Sequence, residues 1–157
     1  MTPILPKFNA QQGQCLPSAV SILFNKPEIL AAFPAKDSGY LMTHIGMMLP
    51  TGVWFDVLYS DRKGLCGAKA VTGELSKNDT DKFIPFFCSN NNHAFLILGR
   101  HSDGKLFGFD LLSKRASQIL DLSKFLQSDI ETVIVLVEPK TNQLLGLDES
   151  ELKHLLS

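Results

Sequence analysis

The stretch His93 to Leu112, HAFLILGRHSDGKLFGFDLL, decides how the chain is read. His93 to Leu98 is a short apolar run, Ser102-Asp103-Gly104-Lys105 is turn chemistry, and Leu106 to Asp110 is a second run with two aromatic residues. This spells a two-stranded antiparallel hairpin. A hairpin brings the chain back to where it started, so His93 and Asp110 fall at the same end. An imidazole beside a carboxylate is how a general base is held in one orientation. The pairing has a use only if a nucleophile arrives from elsewhere, and Cys15 is the candidate.

Upstream of the hairpin, Gln11-Gln12-Gly13-Gln14 leads into Cys15. From there Leu16, Ala19, Val20 and Leu23 follow helical spacing, and Pro17 is tolerated only in a first turn. The helix therefore begins at Cys15, where unpaired backbone N–H groups and the macrodipole favour the thiolate form. Asn25 ends it, and Pro27 opens a short second helix through Phe33. Asp37 or Ser38 caps a third, with Leu41, Ile45 and Met48 on one face and Pro50 closing it.

Residues 52–59 read as a strand, 60–75 as turn-rich and irregular, and Ser76 as the start of a helical turn. Phe86-Phe87-Cys88 reads as a strand, and Ser89-Asn90-Asn91-Asn92 as a polar loop that delivers His93. Beyond the hairpin we expect a strand at 114–119 and a short helix from Leu120 to Gln127. Thr132 to Val137 is β-branched and continuous, the mark of a strand that is buried on both faces or central. Asp148 caps an amphipathic helix reaching Leu156, either a surface element or a partner-binding face. Helices first and a mainly antiparallel sheet afterwards make an α+β layout.

Composition limits what such a chain does. At 157 residues, 45% hydrophobic and 20% charged, it is sized for one globular core. A formal net charge of -1 argues against an electrostatic hold on nucleic acid or an anionic membrane. No apolar run approaches the length of a membrane span, and MTPILPKFNAQQ lacks the signal-peptide pattern. The expectation is a cytoplasmic protein, or one exported without a classical signal. Three cysteines, with no C-x-x-C pair, disfavour a disulfide framework and a zinc site.

Thiol at a helix start, histidine at the start of a later strand and carboxylate on the next strand resemble the papain-like cysteine peptidases. Within them, QQGQCLPSAVSIL and HAFLILGRHSDGKLFGFDLL are similar to the motifs of the bacteriocin-processing peptidases, which trim double-glycine leaders. Leu16 stands where that family usually has Gly, and Leu111 where it has Pro. A freestanding domain of this size is also similar to bacterial papain-like effectors that cleave or deamidate host proteins. The resemblance implies a papain-like catalytic domain over 1–140, with 141–157 as a tail, and a cysteine-dependent hydrolase that needs no cofactor. Its roles would be Cys15 as nucleophile, His93 as base and Asp110 as orienter; the family's oxyanion Gln falls at Asn9 here, and our choice for that role is Gln11 over Gln12 and Gln14. A protease acting on a protein or peptide leads. Glutamine deamidation of a partner protein, a peptidoglycan amidase and a non-catalytic binding module are the alternatives. Cys88 is the rival nucleophile, while Cys66, His44 and His101 are read as non-catalytic.

Overall fold

The computed structural model describes residues 14–37, 39–90, 93–110 and 115–156. Its strands are β1 (Trp54–Ser60), β2 (Ile84–Asn90), β3 (His93–Gly99), β4 (Leu106–Asp110), β5 (Arg115–Gln118), β6 (Thr132–Glu138) and β7 (Gln143–Leu144). Their order across the sheet is β1-β6-β2-β3-β4-β5, with β7 also pairing β6, and each pairing is antiparallel. The helices are α1 (Cys15–Phe24), α2 (Glu28–Ala32), α3 (Gly67–Lys77), α4 (Leu122–Leu126) and α5 (Glu149–Leu156), plus a 3-10 helix at Met42–Met47. The molecule is α+β with a mainly antiparallel sheet.

Alternation along the central strands builds two cores. Phe87, Leu96, Leu98, Ile134 and Leu136 join one with α1 and the 3-10 helix. Phe86, Cys88, Ile97, Val133 and Val135 join the other with α3 and Phe125 of α4. Successive strand residues point to opposite faces, so a run apolar at every position must be covered on both. That is why TVIVLV lies inside the sheet, between β1 and β2. The sheet is thus a middle layer, with α1 and the 3-10 helix over one face and α3 and α4 over the other.

Several local expectations are corrected. The third helix is a 3-10 helix, in which residues three apart eclipse one another. Ile45 and Met48 therefore go inward together, while Leu41 is 62% exposed. The segment 60–75, read as irregular, contains most of α3. Its Ala68, Val71 and Leu75 are all buried at helical spacing. Ser76 lies in the last turn of that helix rather than at the start of one, with its Oγ donating to Gly73 O. Ser89 and Asn90 are strand, not loop: Ser89 pairs both Ala94 and Thr132, and Asn90 pairs His93. Ladder pairing on a central strand outweighs the polar composition that suggested a loop.

Other signals read as written. Asn25 takes a left-handed conformation (φ 53°) and its N–H, with that of Lys26, bonds the last carbonyls of α1. Asp148 caps α5 by accepting from Glu151 N, and Glu151 Oε1 accepts from Asp148 N in return. Leu147 and Leu152 are buried in the α1-side core, so residues of the tail pack on the same core as the sheet.

Candidate functional site

Cys15 is the first residue of α1, and His93 the first of β3. Pro17 falls in the first turn, where its missing N–H costs no intrahelical bond, and the first i to i−4 bond of the helix is Ser18 N to Gln14 O at 2.9 Å. The backbone N–H groups of Cys15 and Leu16 thus lie ahead of any intrahelical acceptor. The α1 helix packs along β3 through Leu16, Ala19, Val20 and Leu23. Burying each leucine contributes about 1.5–3 kcal/mol, which anchors the helix firmly on the sheet. This docking carries the thiol to the strand end, where Cys15 Sγ lies 3.2 Å from His93 Nδ1. That distance is within hydrogen-bond reach of a thiol and an imidazole.

With Nδ1 committed to the thiol, any group that orients the ring must reach Nε2. Asp110 is the last residue of β4, whose Phe109 pairs Leu96 of β3. That register puts the Asp110 backbone at the sheet end occupied by His93, and opposite Arg115 of β5. Its side chain lies outside the described residues, and so does Gln11. Gln14 is described and is committed elsewhere. It is 5% exposed and its Nε2 donates to Leu30 O (3.1 Å) and Phe33 O (2.9 Å), carbonyls in the last turn of α2 and at its C-cap that lack an intrahelical donor. Its amide therefore ties α2 to the start of α1 rather than facing the thiol.

The other thiols and histidines separate by burial and distance. Cys88 is fully buried in the α3-side core, and that burial pushes its thiol far above the ordinary range. A nucleophile cannot work from there. Cys66 is exposed and its Sγ donates to Gly64 O. His101 Nδ1 lies 2.8 Å from Leu75 O, so it joins the hairpin to α3. His44 lies in the 3-10 helix, where its Nδ1 is buried.

Among the described residues, clefts lie on both sides of the sheet, and two of them bear on the site. The larger, about 910 Å³, is on the α3 side among Glu74, Lys77, Lys82 and Gln143. Size alone does not make it the active site, since Cys15 and His93 do not line it. The smaller, about 300 Å³, opens beside Ala94, the chain neighbour of His93, and is bounded by Tyr40, Leu41 and Met42. Sequence reasoning did not find this cleft, because its lining comes from five separate stretches of chain. No helix among the described residues is long and apolar enough to cross a membrane. Comparison of the chain with protein-family models, with curated proteins and with solved structures finds no match.

Proposed function

We propose that this protein is a papain-like cysteine hydrolase acting on a protein or peptide. The observation that carries the reading is the 3.2 Å approach of a helix-N-terminal thiol to an imidazole 78 residues away. In this reading His93 Nδ1 accepts the Cys15 proton as the sulfur attacks a carbonyl carbon. The tetrahedral oxyanion takes hydrogen bonds from the Cys15 N–H and the Gln11 amide. Collapse expels the amine, which takes its proton back from His93, and leaves a thioester on Cys15. Water, deprotonated by His93, then hydrolyses the thioester. Asp110 holds the ring through Nε2 and does not itself react.

The same steps on a glutamine side chain release ammonia, so proteolysis and deamidation share one site. Intact-mass analysis of protein, peptide and muropeptide probes, with wild type and Cys15→Ala, tells them apart. Fragments mean a protease, the amide-to-acid mass gain means a deamidase, and muropeptide cleavage alone means a cell-wall amidase. His93→Ala should abolish turnover. Asp110→Ala should lower it without unfolding the chain, and the two losses should be strongly non-additive. Products that form equally well with Cys15→Ala would end the hydrolase reading and leave a binding module.

A further inference from the structure

Ser60, Thr132, Ser89 and Ala94 form one row across four neighbouring strands. Ser60 pairs Thr132, Thr132 pairs Ser89, and Ser89 pairs Ala94. Directly paired residues share a face. Ala94 belongs to the α1-side core, so the row faces that side. The bulge between Val57 and Tyr59 is what brings Ser60 onto this face with Val57, whose partner Ile134 is in the same core. All four side chains are small, and they form the floor of the 300 Å³ cleft. The floor is buried at Ala94 and Ser89 and exposed at Ser60.

The cleft therefore starts at the residue after His93 and runs across the strands to the sheet edge at β1. Three interstrand steps span about 14 Å, the reach of roughly four extended residues. Two charged groups line it, Arg62 and Glu131. Glu131 already has an interaction partner. Arg62 is exposed and makes no ion pair among the described residues.

We infer that this cleft holds an extended segment of the substrate, and that Arg62 at its outer end selects a carboxylate side chain about four residues from the hydrolysed bond. The inference rests on the hydrolase reading and adds a specificity to it. Small floor residues let the backbone of the segment lie close to the sheet, and the hydroxyls of Ser60, Ser89 and Thr132 supply its polar contacts. The exposed Arg62 guanidinium can meet a carboxylate through two parallel N–H donors, at the modest strength of a solvent-screened pair.

A synthetic library of extended peptides with randomised positions tests this. Products are sequenced by mass spectrometry relative to whichever bond is hydrolysed, peptide or side-chain amide. Wild type should prefer Asp or Glu over neutral residues at the outer position by about three- to fivefold, the range of a partly exposed ion pair. Arg62→Glu should reverse the preference to Lys or Arg. Lys63→Glu, one residue away and outside the cleft, should leave the preference and the rate as they are. Cys15-dependent hydrolysis with no acidic preference, or with one unchanged by Arg62→Glu, overturns the inference and leaves the hydrolase reading standing. Absence of any Cys15-dependent hydrolysis overturns both.

Discussion

Replacing Gln14 with Ala separates two roles that an amide one residue before a candidate nucleophile could play. In the structure its Nε2 makes two hydrogen bonds, to Leu30 O and Phe33 O, from a side chain that is 5% exposed. Each bond contributes about 0.5–1.5 kcal/mol net, so the pair is worth about 1–3 kcal/mol. Both acceptor residues are partly exposed, which lets water replace part of the loss and keeps the figure within that range. For a chain of this size each kcal/mol shifts the melting temperature by about 2–4 °C, so Gln14→Ala should melt about 2–12 °C lower. The assay is thermal unfolding followed by far-UV circular dichroism, paired with steady-state kinetics well below the transition. We expect kcat to stay within a few-fold of wild type. An oxyanion donor behaves oppositely: its loss lowers kcat by about 10²–10³ and need not touch stability. Unchanged melting with a collapse in kcat would refute the structural role and return Gln14 to the oxyanion site.

Three further expectations follow from the same geometry. Cys15 should react with iodoacetamide faster than the exposed Cys66, and His93→Ala should remove that advantage, while Cys88 should label only on unfolding; peptide mapping of labelled protein reads all three. Gly67→Ala should destabilise by about 1–3 kcal/mol in urea unfolding, because a Cβ there would sit 2.3 Å from Ile130 Cγ2 and 2.7 Å from its carbonyl oxygen; wild-type stability in that variant would show that α3 can shift away from Ile130. Arg100 bonds Asp103 and Glu149, and holds the Asp103 carboxyl below its ordinary range. A depressed carboxyl adds stability above its unfolded value and loses it as pH falls through the folded one. Arg100→Ala should therefore flatten the acid limb of the stability curve, and an unchanged acid limb would mean that the pair contributes nothing.

Much of the fold is written in local pattern. The HAFLIL and LFGFD runs around a Ser-Asp-Gly-Lys turn specify their hairpin, because alternation and turn chemistry act within a few residues. Pro17 places the start of α1 at Cys15, and Asn25 its end, for the same reason. The doubly buried character of Thr132–Val137 is legible too, since an unbroken apolar strand has no face to give to water. The α3 helix was legible in principle. Ala68, Val71 and Leu75 carry its spacing, but Gly64, Gly67 and Gly73 around them mask it.

What the sequence does not state is which segments meet. The approach of Cys15 Sγ to His93 Nδ1 depends on α1 lying along β3, a consequence of core packing between residues far apart in the chain. Gln14 is polar and next to the thiol, and only the position of α2 shows that its amide is spent on carbonyls there. The row Ser60–Thr132–Ser89–Ala94 has no signature at all in the linear text. It exists because strand order places β6 between β1 and β2, and because a bulge shifts β1 by one residue. Local propensity selects helix, strand and turn through neighbours in sequence. Register and strand order are selected by the burial of whole faces, and that is settled only when the entire sheet closes its two cores.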